Sequence, residues 1–169
     1  GAQARHFVTT PDGRVHGFSQ FGSGTFVPGV RTFLSRFMLV DPLNMLREAY
    51  ELEQLGCRDV FSNLYVDEDA IVVTPYHKLA NRIRESLRGK DRHGTCGMGI
   101  GETMADSLMA TDLTLRVRDL KSPELVTKLR RIQEFKRAEF EHVELDVCAA
   151  KAKPHDLRDP ENPKLWAEL

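Results

Sequence analysis

The sequence predicts an α/β fold, because short apolar and β-branched stretches alternate along the chain with amphipathic helical segments. Of its 169 residues, 41% are apolar and 29% are charged, which is the balance of a globular domain with its own core. No apolar run approaches the length of a membrane span, so no membrane association is expected. The net charge of −1 gives no overall positive field, so nucleic acid is not expected as a partner.

The chain has three cysteines, Cys57, Cys96 and Cys148, which are an odd number and lie far apart. No C-x-x-C pair is present, so the sequence signals neither a zinc site nor a disulfide framework, and a reducing, cytoplasmic location is predicted. The chain opens on "GAQARHF" without an initiator methionine or a signal peptide. This abrupt start predicts that the sequence is an internal part of a longer polypeptide.

The first 40 residues predict a β-hairpin, a loop and a strand. Pro11-Asp12-Gly13 forms the turn between "HFVTT" and "RVHGFSQ", since proline fixes one backbone angle and glycine tolerates a positive φ. A glycine-rich loop is expected over 21–29, followed by a buried strand over 30–40.

Two helices with clear start and stop signals follow. The first has Asp41 as N-cap and Pro42 in its first turn, and it ends at Gly56. Its predicted inward face comprises Leu43, Leu46, Ala49 and Tyr50. After strand candidates "DVFSNLYV" and "AIVVT", Thr74 and Pro75 begin the second helix, which ends at Gly89. Its predicted inward face comprises Tyr76, Leu79, Ala80, Ile83 and Leu87.

The last third of the chain is predicted to be mainly helical. A short helix is expected over 102–110, and "LTLRVRDL" is read as a strand or an extended connector. A long helix begins at Ser122 and Pro123, with an inward face of Leu125, Leu129, Ile132, Phe135 and Phe140. We expect residues 1–149 to form the folded domain and residues 150–169, which contain three prolines, to be an irregular tail.

The stretch "HGTCGMGIGETMADS", residues 93–107, contains four glycines directly before a predicted helix: Gly94, Gly97, Gly99 and Gly101. It lacks the Gly-Lys-Ser/Thr of a Walker A loop, and the third glycine of a dinucleotide fingerprint would fall at Met104. Clustered glycines before a helix allow backbone N–H groups to approach an anion. The pattern alone leaves two interpretations open, a phosphate or nucleotide site and a tight crossover without a ligand.

"GTCGMGIGETMADS" resembles the inosinate-binding loop of adenylosuccinate synthetases, which usually reads G-T-T-G-R-G-I-G-P-x-Y. Four other segments are similar to that family in the same order: "GAQARH", "FGSGTF" with "LVDPLNMLREAYELEQLG", "TPYHKLANRIRESLRG" and "RVRDL". The resemblance covers about residues 1–120. It implies part of a P-loop-type mixed sheet with flanking helices, and a purine-nucleotide-binding domain.

The resemblance also implies a ligase of purine nucleotide biosynthesis that joins aspartate to inosinate, with GTP as co-substrate and Mg²⁺ as cofactor. In this family the 6-oxygen of the purine attacks the γ-phosphate, and the amine of aspartate then displaces phosphate from the 6-phosphoryl intermediate. Mg²⁺ offsets the charge on the phosphates during phosphoryl transfer. Family members are homodimers, so a homodimer is implied.

Residue by residue, the resemblance implies roles at both ends of the matched region. His6 falls on the catalytic general-acid histidine, which has a suitable intrinsic pKa. Arg5 falls on a glycine whose backbone carbonyl meets Mg²⁺, and Phe7 falls on a threonine near the GTP phosphates, so Arg5, His6 and Phe7 form the implied cofactor site. The implied substrate-binding set is Gln3, Arg5, Thr95, Cys96 and Gly97. His77, in contrast, is expected to pack or cap a helix.

Three departures from the family pattern touch the substrate site: Gln3 replaces asparagine, Arg5 replaces glycine and Cys96 replaces threonine. The family's G-D-E-G-K-G-K loop would precede Gly1, its C-terminal half is absent, and "MADSLMATDL" lacks the arginine that crosses the dimer. We therefore expect the chain by itself not to complete the reaction. Two alternatives remain: a divergent paralogue that uses another purine nucleotide or amine, and a non-catalytic nucleotide-binding module.

Overall fold

The structure, a computed structural model, describes residues 4–91 and 93–141. The chain divides into two compact units, residues 1–139 and 140–169, and all helices and strands described below lie in the first. The strands are β1 His6–Thr9, β2 Val15–Phe18, β3 Thr32–Leu34, β4 Leu39–Val40, β5 Leu64–Val66 and β6 Ile71–Val72. The helices are α1 Pro42–Gln54, α2 Pro75–Leu87, α3 Ile100–Met109 and α4 Leu125–Ala138. The predicted α/β class is confirmed.

The strands form small parallel and antiparallel pairs rather than one continuous sheet: β1 with β2 antiparallel, and β3 with β5 and β4 with β6 parallel. The predicted hairpin is confirmed, and Gly13 takes a φ of 88° in its turn. Within the described residues, no helix is both long and apolar enough to cross a membrane. The predicted tail over 150–169 and Cys148 lie outside the described residues.

The predicted strand over 30–40 is wrong in its continuity, because a turn separates β3 from β4. The N–H of Met38 donates to the carbonyl of Ser35 at 2.9 Å, which turns the chain. The segment between β5 and β6 also contains a turn, in which the N–H of Ala70 donates to the carbonyl of Asp67 at 3.0 Å. The two turns match, so Thr32 lies opposite Leu64 before them and Leu39 lies opposite Ile71 after them. Hydrophobicity alone does not reveal such a paired interruption.

Helix α1 starts and ends as predicted, with the Asp41 side chain accepting a hydrogen bond from the N–H of Asn44. Its predicted inward face holds at Ala49, but Leu43, Leu46 and Tyr50 are exposed. The buried residues are Glu48, Ala49 and Leu52. The burial of Glu48 therefore sets which side of α1 packs against the rest of the protein.

The Glu48 carboxylate is 4% exposed and accepts hydrogen bonds from three consecutive backbone N–H groups. These donors are Ser19 at 2.8 Å, Gln20 at 2.7 Å and Phe21 at 3.3 Å. Charge-assisted bonds of this kind offset the cost of burying a carboxylate. Glu48 thus fixes the start of the loop that follows β2, beside the core formed by Phe18, Phe21, Ala49, Leu52 and Val60.

Helix α2 begins with a reciprocal cap between Thr74 and His77, which confirms the expected capping role of His77. The N–H of Thr74 donates to His77 Nδ1 at 3.1 Å, and the N–H of His77 donates to Thr74 Oγ1 at 3.4 Å. The predicted inward face holds at Ala80, but Leu79 and Leu87 are exposed. Because Nδ1 accepts, the proton of a neutral imidazole lies on Nε2.

A row of three buried polar side chains links helices α2, α3 and α4. His77 Nε2 lies 3.2 Å from Asp106 Oδ2, and Lys136 Nζ lies 2.6 Å from Asp106 Oδ1. All three side chains are at most 5% exposed. We call this the His77–Asp106–Lys136 chain. Burial raises the pKa of Asp106, but hydrogen bonds from His77 and Lys136 lower it by more, so the net shift is downward.

The glycine-rich stretch that leads into α3 packs against the first turn of α2. α3 begins at Ile100, close to the predicted helix. The prediction of a strand or an extended connector for "LTLRVRDL" is wrong over its second half, because Val117–Lys121 form a 3-10 helix, and Arg116 makes one antiparallel bridge with Ile71. Gly99 is the N-cap of α3 and has a φ of 71°. A Cβ at Gly99 would lie 2.6 Å from the backbone nitrogen of Lys78 and 2.7 Å from the carbonyl carbon of His77. The first turn of α2 therefore leaves no room for a side chain at position 99.

Gly99→Ala should destabilise the protein by about 3 kcal/mol or more, because it combines a left-handed backbone with a clash against backbone atoms. The measurement is the free energy of unfolding in urea. Gly101→Ala is the matched control: position 101 lies in α3, and a Cβ there meets nothing within 4 Å. The control should be neutral or more stable by up to ~1 kcal/mol, since alanine favours a helix. Equal effects of the two substitutions would contradict the described packing.

Asp106→Asn should cost about 2 kcal/mol at neutral pH, because it removes the closest of the three carboxylates that pair with the buried Lys136 and weakens the hydrogen bond from His77. The downward pKa shift of Asp106 means that its contribution is present above the unfolded value of 3.8 and is lost as pH falls below it. The difference in unfolding free energy between wild type and variant should therefore shrink in acid. Asp112→Asn, at a half-exposed surface pair with Arg131, should show a small difference at every pH. A pH-independent gap for Asp106→Asn would refute the linkage.

Candidate functional site

The glycine loop, which comprises residues 93–99, owes its shape to left-handed backbone at three positions. Gly94, Gly97 and Gly99 have φ values of 68°, 69° and 71°. L-residues rarely adopt this region, so these three positions favour glycine for conformational reasons. The loop runs from the end of α2 back along that helix and into the N-terminus of α3.

One side of the glycine loop is held by the Glu85 carboxylate of α2. Glu85 accepts hydrogen bonds from the N–H of Gly94 at 2.9 Å and from the hydroxyl of Thr95 at 3.0 Å. Asn81 Nδ2 also donates to Thr95 Oγ1, at 3.4 Å. Burial raises the pKa of Glu85, but the bonds from Gly94 and Thr95 outweigh it, so the pKa lies below its usual value. Glu85 is therefore ionised at neutral pH.

The other side of the glycine loop lies against Arg82, also on α2. A Cβ at Gly97 would lie 3.1 Å from Arg82 Nε and 3.3 Å from its Cγ. The missing side chain at Gly97 is thus what allows Arg82 to lie along the loop. Carboxylate and guanidinium consequently meet the loop at different points, Glu85 at residues 94–95 and Arg82 at residue 97.

The loop beyond Thr95 offers donors suited to an anion. Within residues 4–91 and 93–141, the N–H groups of Cys96, Gly97 and Met98 have no hydrogen-bond acceptor. The first N–H groups of α3 follow directly, and a helix N-terminus favours negative charge. Cys96 is exposed, so its thiol lies at the surface of the loop. This arrangement can bind a phosphate group by backbone donors and one nearby cation.

The three implied residues of the N-terminal segment lie on the β1–β2 hairpin and point to opposite faces of it. Arg5 and Phe7 lie over Gly17, where a Cβ would meet the Phe7 ring at 3.1 Å and the Arg5 Cδ at 3.5 Å. His6 lies opposite Phe18 on the other face, and its side chain is exposed. Phe7 is 74% exposed. Because successive side chains along an extended chain point to opposite faces, His6 lies on one face of the hairpin and Arg5 and Phe7 lie on the other.

The structure thus brings together Thr95, Cys96 and Gly97 on one loop, and Arg5, His6 and Phe7 on one hairpin. Gln3 lies outside the described residues. Sequence reasoning missed Asn81, Arg82 and Glu85. Asn81 and Arg82 lie four and three residues before Glu85, so the three side chains share one face of α2. The polar character of that face is the sequence signal that could have identified them.

A complete magnesium site is not formed by the part of the chain that the structure describes. Among those residues there is no group of three or more histidine, cysteine, aspartate or glutamate side chains that could hold a metal ion. Mg²⁺ is commonly held by one or two carboxylates together with substrate phosphates. The resemblance implies the backbone carbonyl of Arg5 as a ligand of Mg²⁺, and this one oxygen does not supply the carboxylate and phosphate ligands.

A separate open cleft of about 470 Å³ lies between the loop after β2 and the segment that follows α1. Arg14 lies at its edge, with its guanidinium carbon 4.8 Å from the centre of the Phe26 ring and its Nε 2.9 Å from Asp12. Arg58 and Asn63 also line it. The described lining of this cleft includes none of the residues implied by the resemblance.

The sequence matches the family model described as adenylosuccinate synthetase over residues 1–161. Among curated relatives, the adenylosuccinate synthetase of Chlorobium chlorochromatii (strain CaD3) is 34% identical over 154 residues, covering 88% of this chain and 35% of the relative. That of Gloeobacter violaceus is 41% identical over 102 residues, covering 60% and 22%. The chain therefore spans about a third or less of the length of these two relatives.

Solved structures agree with this fold. The fully ligated adenylosuccinate synthetase of Plasmodium falciparum superposes with a TM-score of 0.71 at 20% identity, over 86% of this chain and 34% of that one. The succinoaminodeoxyadenylate synthetase of cyanophage S-2L, bound to dGMP and to dATP as an energy donor, gives 0.53 at 22% identity, over 71% and 31%. With the family model covering nearly all of the sequence, the chain belongs to the adenylosuccinate synthetase family.

Proposed function

We propose that the chain is part of a GTP-dependent ligase that joins aspartate to inosinate in purine nucleotide biosynthesis. The observation that carries the proposal is the family match over residues 1–161, and the left-handed backbone of Gly94, Gly97 and Gly99 in the glycine loop supports it. The purine nucleotide would lie with its phosphate at residues 95–97, with Thr95, Cys96 and Gly97 lining its edge. GTP and aspartate would be the other substrates.

On this proposal, the hairpin supplies the groups near the reacting phosphate. His6 would donate a proton toward the 6-oxygen of the purine, and its exposure on β1 leaves the imidazole accessible to a ligand. Arg5 and Phe7 would lie near the GTP phosphates, on the opposite face of the same strand, and Gln3 would contact substrate. Because His6 and Phe7 lie in β1 and Arg5 directly precedes it, a small rotation of the hairpin would move these three residues together.

The chain spans about a third of its relatives, so the proposed activity belongs to a longer protein that also holds the family's phosphate loop and its remaining substrate sites. A homodimer, a cytoplasmic location, Mg²⁺ as cofactor and the lack of a nucleic-acid partner remain predictions. The domain boundary at 149 also remains a prediction.

A second candidate is a divergent enzyme of the same family that uses another purine nucleotide. Cys96 favours it, since an exposed thiol is a weak donor where the family loop carries a hydroxyl. The cyanophage protein, whose structure holds dGMP and dATP, gives a precedent for other purine nucleotides on a related fold. Comparing inosinate with guanylate and their deoxy forms would separate the two candidates.

Inosinate should bind the purified protein in isothermal titration calorimetry, and Gly97→Val should abolish binding, because a β-branched side chain is strained at a φ of 69° and would displace Arg82. Asp112→Asn, at the surface pair with Arg131 and outside the loop and the first turn of α3, should bind as wild type. Circular dichroism checks that each variant is folded. Failure of folded wild-type protein to bind any purine nucleotide, with or without GTP and Mg²⁺, would contradict the proposal.

A further inference from the structure

We propose that the open cleft between the loop after β2 and the segment after α1 is a second binding site, for a small ligand that carries a carboxylate or phosphate group on an apolar body. This site is separate from the proposed nucleotide site, because its described lining includes none of the residues implied for substrate or cofactor. Its volume, the charge of its lining and the apolar surface beside that charge point to this class of ligand.

The cleft has the size and the fixed walls of a small-molecule site. Its volume of about 470 Å³ lies within the usual range of ligand pockets. One wall is held by successive turns, in which the N–H of Val27 donates to the carbonyl of Gly24 at 2.9 Å and the N–H of Val30 donates to the carbonyl of Val27 at 3.2 Å. In the opposite wall, the N–H of Cys57 donates to the carbonyl of Leu52 at 3.0 Å. Because both walls are formed in advance, binding a ligand requires little further ordering.

The charged side chains in the described lining of the cleft are both arginines, and that lining includes no aspartate or glutamate. Arg14 is partly engaged, since its Nε pairs with Asp12 at 2.9 Å and its guanidinium lies over the Phe26 ring. Arg58 is exposed, and within residues 4–91 and 93–141 its guanidinium makes no hydrogen bond or ion pair. The side-chain amide of Asn63 has no hydrogen-bond partner among these residues either. The cleft therefore presents a guanidinium and an amide whose donors are available to an anion.

Apolar surface adjoins these donors. Val27 and Val30, on the wall opposite Arg58, are 56% and 40% exposed. Val60, which also lines the cleft, is buried and belongs to the core cluster against which Phe26 packs. A simple inorganic ion would leave the two valines in contact with water. A ligand with an apolar body would cover them while its anionic group meets Arg58.

The test compares phenyl phosphate and benzoate with their neutral analogue benzamide, titrated into isotopically labelled protein and followed by nuclear magnetic resonance of the N–H groups. Both anions should give saturable shifts at the amides of residues 29–30 and 56–58, with dissociation constants on the order of 1 mM for ligands of this size. Benzamide should bind about 10-fold more weakly or less tightly still, because it lacks the charge. The tighter of the two anions identifies the group, phosphate or carboxylate, that the cleft prefers.

Arg58→Gln should weaken binding of either anion by about 10-fold or more, the usual effect of losing charged hydrogen bonds. Arg58→Lys should recover part of the loss, because it keeps the charge but not the planar fork. Circular dichroism should show both variants folded, since the Arg58 side chain is exposed and unpaired among the described residues. Arg131→Gln, which removes one positive charge at the surface pair with Asp112, is the matched control and should bind as wild type.

Alkylation of the cysteines gives an independent readout of where the ligand lies. Cys57 lines the cleft and is partly exposed, whereas Cys96 is exposed on the glycine loop. Either anion should slow the reaction of Cys57 with iodoacetamide and leave the reaction of Cys96 unchanged, as measured by mass spectrometry of the separate peptides.

Four results would overturn the proposal. Wild type without saturable shifts at the cleft would show that the cleft binds neither anion. Equal affinity for benzamide would show that the charge is not recognised, and wild-type affinity of Arg58→Gln would show that Arg58 is not the group that binds it. Protection of Cys96 instead of Cys57 would place the anion at the glycine loop, which would support the proposed function and remove the cleft as a site.

Discussion

The buried carboxylate of Asp106 is the constraint on which the region around the glycine loop depends. It accepts from His77 on α2 and from Lys136 on α4, while its own backbone belongs to α3. Isolated, this charge could not be buried; paired on both sides, it fixes three helices relative to one another. His77 in turn caps α2 through Thr74, and the backbone of His77 and Lys78 is the surface against which Gly99 packs. The position of the glycine loop thus follows from a polar contact between helices rather than from the loop alone.

This arrangement gives the loop two chemically different ends. Near residues 94–95, Glu85 accepts hydrogen bonds from the Gly94 N–H and the Thr95 hydroxyl, so the loop is held by α2. Near residues 96–99, the chain enters the N-terminus of α3, and the Arg82 side chain lies against Gly97. A flexible glycine run would lose much conformational entropy on ordering around a phosphate, but here α2 orders it beforehand. Helix α2 therefore orders the loop through Glu85 and also places the Arg82 side chain beside Gly97.

The sequence predicted the α/β class, the hairpin and the helix limits, because Pro11-Asp12-Gly13, Asp41-Pro42 and Thr74-Pro75 are local signals with direct physical causes. It failed where burial depends on distant partners. Glu48 is buried because its carboxylate accepts hydrogen bonds from the amides of Ser19, Gln20 and Phe21. Hydrophobic periodicity could not reveal this, and it placed the exposed Leu43, Leu46 and Tyr50 on the inward face together with the buried Ala49. In the site, the resemblance pointed to the loop residues themselves, while Arg82 and Glu85 became recognisable only once α2 and the loop were seen side by side.

The most direct test of nucleotide binding at the glycine loop is a titration of the isotopically labelled protein with inosinate, followed by nuclear magnetic resonance of its N–H groups. The largest shifts are expected at the backbone amides of residues 96–102 and at the Arg82 side chain, with small changes at Gly94. Shifts confined to the cleft lined by Arg14 and Arg58, or spread over the β1–β2 hairpin without the loop, would contradict a phosphate site at the loop.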